Sequence, residues 1–182
     1  MDRAEKITLH EITERVIANG FDPAVAQWVI DSLENRHGYE FGAILGLDPT
    51  ERRLRPIGLS RQGRDQEFLD NDFRYVATAA PRAGSGITGW VAVAGRTALC
   101  PDVNRDTRYF KLRSRIHSEL CVPIKNGFRV LGVINTESTR KNAYRSQDAE
   151  MLEKVASLIG MARPRLSGET AWLSRDSATP GR

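Results

Sequence analysis

The stretch GSGITGWVAVAG, Gly84 to Gly95, contains G-x-G-x-x-G in Gly84, Gly86 and Gly89. Glycines at that spacing let a backbone approach a pyrophosphate at a helix N-terminus, the chemistry of a dinucleotide site. Such a loop follows a hydrophobic strand inside a βαβ unit. Here the preceding residues are ATAAPRA, broken by Pro81, and the chain beyond Gly95 is β-rich and closes in an antiparallel hairpin. The glycines are therefore read as a tight loop. Ser85 or Thr88 caps a short helix, and Trp90, Val91 and Val93 pack it on a sheet. Thiol chemistry rests on Cys100 and Cys121, and Cys121 lies in an apolar run beside Val122, the setting of a buried, inert thiol. The three histidines and two cysteines show no metal-ligand spacing, so no metal is expected, and His117 is a lone candidate axial ligand.

Composition narrows the classes. The chain has 182 residues, 40% hydrophobic and 27% charged, with a formal net charge of +4. No apolar run is long enough to span a bilayer, and MDRAEKITLH is too polar for a signal peptide, so a cytoplasmic protein with reduced thiols is expected. The arginines gather around residues 52–64 and 105–115, but aromatics are only 7% and no nucleic-acid motif occurs, which argues against a nucleic-acid partner.

Periodicity places the elements. Leu9, Ile12, Val16 and Ile17 predict a helix ending at Asn19-Gly20. Asp22-Pro23 predicts an N-cap and first-turn proline for a second helix, with Val25, Trp28, Val29 and Leu33 inward and Gly38 as its stop. Tyr39 to Leu47 reads as a strand, Asp48-Pro49-Thr50 as a turn and Arg53 to Ser60 as its hairpin partner. Residues 61–72 suggest a short irregular helix. Asn126-Gly127, between two apolar runs, predicts a second hairpin. A two-residue turn there pairs Cys121 with Gly132, and a three-residue loop shifts the register; both stay open. From Ser146 a last helix carries Met151, Leu152, Val155, Leu158 and Ile159 inward and ends before Pro164. The tail beyond it is expected to be poorly ordered, with Trp172 as its one anchor.

The run GSGITGWVAVAGRTALCPDVNRDTRYF, then SELCVPI, GFRVLGVINTES and AYRSQDAEMLEKVASLIG, resembles the GAF family in order and spacing. The resemblance implies an α+β fold with a central antiparallel sheet of about six strands and helices on both faces. Residues 1–38 would be N-terminal packing helices, 39–163 the core and 164–182 a flexible tail. It also implies a homodimer through the terminal helices and a ligand cavity lined by roughly residues 100–117.

Members that reduce free methionine-R-sulfoxide place one cysteine where this chain has Thr88 and another where it has Lys111-Leu112-Arg113. Glu119 matches an acidic substrate contact of those enzymes, and Asn135 and Glu137 stand where they carry two aspartates. Members that bind cyclic nucleotides carry charged groups missing at Thr136 and Ala149, and a Cys-His pair suited to bilin is absent. The expected function is a non-enzymatic sensory or regulatory domain for signal transduction, acting through a homodimer or a partner protein. A small anionic or zwitterionic ligand of unknown identity would be held by Trp90, Asp102, Arg105, Arg108, Tyr109, Phe110, His117, Glu119, Cys121 and Asn135. A scaffold module with a self-filled cavity and a methionine sulfoxide reductase-like enzyme are the alternatives.

Overall fold

The computed structural model describes residues 3–48, 50–60, 82–110 and 115–162. The expected helix at 61–72, the Lys111–Arg113 run and the tail with Trp172 lie outside them. Helix α1 (Arg3–Asn19) buries Thr8, Ile12 and Val16, a four-residue repeat along one face. Ile17 sits one residue, and so about 100°, off that repeat; it is exposed rather than part of the stripe. Helix α2 (Pro23–His37) begins where the Asp22 carboxylate accepts from the Val25 N–H at 2.8 Å. It stops at Gly38, whose φ of +65° allows its N–H to reach the Glu34 carbonyl. Val25, Val29 and Leu33 turn inward as expected.

Strands β1 (Phe41–Asp48) and β2 (Arg53–Leu59) form the first hairpin; β3 (Ala98–Cys100), β4 (Ser118–Asn126) and β5 (Arg129–Ser138) follow. The order β2-β1-β5-β4-β3 is antiparallel throughout, so the central strands are β1, β5 and β4. Five strands lie among the described residues where about six were expected. An isolated bridge between Arg53 and Arg82 shows the chain returning beside β2.

The Asn126-Gly127 hairpin adopts neither of the two registers read from sequence. Asn126 pairs with Arg129, so the turn is Gly127-Phe128, and its first position takes the positive φ (58°) that glycine supplies. A bulge between Ile124 and Lys125 then slips the ladder, and Cys121 faces Asn135.

Alternation along the central strands divides the core in two. Leu120, Val122, Ile124, Ile134 and Ile44 point to one face, where α2 and α4 (Ser146–Met161) cover them and α1 packs on both helices. Cys121, Val133, Leu45, Ala98 and Cys100 point to the other, under α3 (Gly86–Ala94). In α3 it is Ile87, Val91 and Ala92 that are buried, whereas Val93 is exposed, being two residues and half a turn beyond Val91. Ser85 is the N-cap, through its backbone only, and Thr88 lies inside the helix. The glycines before α3 serve the turn: Gly84 and Gly86 have positive φ, and any Cβ on Gly89 would collide with the Arg82 carbonyl.

Candidate functional site

The face under α3 carries two cross-strand rows. Direct pairing sets Cys100, Glu119, Glu137 and Phe41 side by side on β3, β4, β5 and β1. The neighbouring row is Ala98, Cys121, Asn135 and Ala43. Glu119 and Glu137 are 3% and 9% exposed, so this apolar face buries two carboxylates in one row. Like charges directly opposite each other on a sheet are unfavourable, and buried carboxylates require compensation. The Asn135 Oδ1 atom is buried beside them with no hydrogen-bond partner among the described residues. Two carboxyl groups and one amide oxygen thus share one buried patch.

After β3 a 3₁₀ turn (Val103–Arg105) carries the chain over this face. Burial, followed by the nearby Asp106 and Glu119 carboxylates, pushes the Cys100 thiol up to about 12. Asp106 in turn accepts from Arg108 Nε at 2.9 Å and from Arg108 Nη2 at 2.6 Å. The arginine bonds hold its carboxyl down at about 2. The Arg108 guanidinium lies 4.3 Å above the Trp90 ring, so one cation is fixed by a carboxylate at its edge and an indole at its face. Cys121 is fully buried, and desolvation raises its thiol far above the ordinary range. Both cysteines are free.

Of the residues picked out in the sequence, Glu119, Cys121 and Asn135 lie in the two rows. Trp90, Arg108 and the half-buried Tyr109 border the same core. His117 sits just before β4, its backbone bonded to Val103 and Ser138, with a buried Nδ1 that has no partner among the described residues. Asp102 belongs elsewhere: it accepts from Lys141 Nζ at 2.7 Å and from the Asn104 N–H at 3.1 Å, so it fastens the 3₁₀ turn to the loop before α4. Arg105 and Phe110 are exposed. The site set read from sequence left out Cys100, Asp106 and Glu137. The signal for Glu137 was present, since Asn135 and Glu137 alternate on β5 as Glu119 and Cys121 do on β4. Nothing local marks Cys100, which joins the row only through the β3–β4 register.

A GAF domain family model matches residues 23–163. The free methionine-R-sulfoxide reductase of Saccharomyces cerevisiae is 34% identical over 85 residues, covering 46% of this chain and 47% of that protein. The match therefore spans about half the length of the yeast protein. The crystal structure of the free methionine-R-sulfoxide reductase of Neisseria meningitidis with its substrate is similar with a TM-score of 0.73 at 18% identity, covering 88% of this chain and 89% of that one. The GAF domain of an Acinetobacter phosphoenolpyruvate-protein phosphotransferase gives a TM-score of 0.68 at 16% identity, with 88% and 93% covered. At such identities the solved structures speak for the fold. The yeast relative is an enzyme, and it overturns the expectation of a non-enzymatic, ligand-sensing signalling domain. That expectation rested on cysteines missing from two positions and took no account of a thiol brought to the acidic row from β3. With the helices, the antiparallel sheet order and a family model spanning most of its length, the chain belongs to the GAF domain family.

Proposed function

We propose that this chain is a reductase of a free amino-acid sulfoxide, of the methionine-R-sulfoxide type, with Cys100 as its thiol. The observation that carries the reading is the Cys100–Glu119–Glu137 row, set on a fold and a sequence similar to those of such reductases. The substrate is zwitterionic. Its ammonium group suits the acidic character of the Glu119–Glu137 row and the Asn135 side-chain oxygen, which has no hydrogen-bond partner among the described residues.

The chemistry follows from the thiol. The Cys100 sulfur, as thiolate, attacks the sulfoxide sulfur, and the oxygen passes to the cysteine. Cys100 becomes a sulfenic acid and is oxidised by two electrons; the substrate sulfur gains them and leaves as a thioether. The proton shed by the thiol ends on the sulfenic oxygen. Two molecules of an external thiol then restore Cys100, releasing water and a disulfide. With the thiol held at about 12, thiolate is scarce at neutral pH, and turnover is expected to rise with pH. The test is turnover of free L-methionine-R-sulfoxide with dithiothreitol, followed by chromatography of the methionine formed. Cys100→Ser is expected to abolish it; a serine variant as active as the parent refutes this role for Cys100.

A further inference from the structure

We propose that the helix-covered face of the sheet holds a second binding site, a cavity for a short aliphatic carboxylate. It lies on the side of the sheet away from Cys100 and is independent of the reductase reading.

The cavity follows from a gap in the strand pattern. On this face Ile44 of β1, Ile134 of β5 and Val122 of β4 form one cross-strand row. Two residues further along β1 the next row on the same face is Gly46, Gly132 and Ile124. Two glycines thus stand where the row before has two isoleucines, so β1 and β5 offer the helices no side chain there. Glycine is required at one of them, because a Cβ on Gly132 would strike the Leu45 carbonyl. A space of about 340 Å³ remains between these glycines, the α1–α2 turn and the end of α4. Phe21, Ile124, Leu131 and Ile159 wall it, joined by Ile57, which a bulge leaves out of the β1–β2 pairing.

Size and charge together define the ligand. An apolar cavity of about 150 Å³ takes up benzene, so this one has room for roughly ten to twelve heavy atoms. Arg129 and Asn126 flank the Gly127-Phe128 turn at the exposed rim and complete the lining. Arg129 is the one charged residue among the described residues that line the cavity. A guanidinium carries five N–H donors and serves more than one acceptor at once. An aliphatic chain therefore lies between Phe21 and Ile124, with its carboxylate at the rim beside Arg129. A cationic amphiphile meets like charge there, and a neutral one forgoes the charge-assisted bonds.

Calorimetric titration of the whole chain with sodium octanoate, 1-octanol and octylamine tests this. Octanoate should bind tightest, with octanol weaker by roughly 10-fold or more and octylamine weaker still. Arg129→Ala should bring octanoate to within about twofold of octanol. Ala162 lines the cavity just beyond α4, and Ala162→Phe should block octanoate while leaving any sulfoxide turnover at the parent's level. If Ala162→Phe does not fold, judged by thermal unfolding, methyl NMR of the parent gives the same reading. Octanoate should shift the Ile57, Ile124 and Ile159 methyls and leave Ile87, on the other face, unmoved. Octanoate that fails to bind at millimolar concentration, binds no better than octanol, or still binds the Ala162→Phe protein overturns the assignment. So does octanoate binding found only after residues 163–182 are deleted, which makes the chain's own tail the occupant. Binding found only on dilution of a dimer makes a second copy the occupant and overturns it equally. Octanoate binding as expected without sulfoxide turnover removes the reductase reading and leaves this site standing.

Discussion

Asp106 grips Arg108 with both carboxylate oxygens while its charge disfavours ionisation of the nearby Cys100 thiol, so one carboxylate anchors a cation and restrains a nucleophile. The arginine bonds lower its pKa to about 2. A carboxylate depressed in the folded state adds stability that is present above its unfolded value and is lost as pH falls through the folded one. The parent should therefore lose stability between roughly pH 4 and 2, by about 1 kcal/mol from this pair after solvent screening of the part-exposed arginine. Asp106→Asn should flatten that part of the curve, as read by urea unfolding at stepped pH.

Cys100 responds in the opposite range. Its raised value favours the neutral thiol in the fold, a contribution intact below the unfolded value and lost as pH rises towards about 12. Where ionisation limits the rate, turnover of the sulfoxide should climb about tenfold per pH unit between 7 and 9. A pH-independent rate across that window rules out thiolate attack by a group so strongly shifted.

Gly89 tests the meaning of the glycine stretch. Its missing Cβ would strike the Arg82 carbonyl, a backbone atom that cannot swing aside. Gly89→Ala should lower stability by about 3 kcal/mol or more. Dinucleotides and mononucleotides should leave the thermal midpoint of the parent unmoved, because the turn and the packing already account for the glycines. A nucleotide-induced rise in midpoint would restore the phosphate-loop reading.

A homodimer through the terminal helices remains our expectation for solution. Ile17 and Met161 are exposed at the C-terminal ends of α1 and α4, and Leu9 and Leu158 border a groove between these helices. Sedimentation at micromolar concentration should show a dimer that Ile17→Arg or Met161→Arg weakens. A monomeric parent places no interface there.

What could be read from sequence was what is encoded over short distances. Asp22, Pro23 and Gly38 mark the ends of α2 because capping involves residues within one turn of each other. The Asn126-Gly127 hairpin was visible for the same reason, but its register was not, since the bulge at Ile124 arises from pairing along the ladder. The candidate site was the least legible part. Glu119 and Asn135 stood out through their resemblance to family positions, whereas Cys100 enters the row only when β3 pairs with β4. Asp102 and Arg108 show the limit from the other side. Both are charged residues on the same segment, yet one is taken up by Lys141 and the other is held by Asp106 over Trp90.

The strand order also dictates when the protein can fold. The inner neighbour of β1 is β5, so Phe41 finds its partner, Glu137, 96 residues further along the chain. Closing a loop of that length costs about 4 kcal/mol in chain entropy, against far less for the β4–β5 turn. The second hairpin is therefore expected to form first and to act as the template on which β1 docks. During synthesis β1 leaves the ribosome with one edge unpaired and waits for most of the remaining sequence. At the several residues per second at which chains are made, that is an exposure of seconds, and the β1 edge is the place where a nascent chain would need a chaperone's cover.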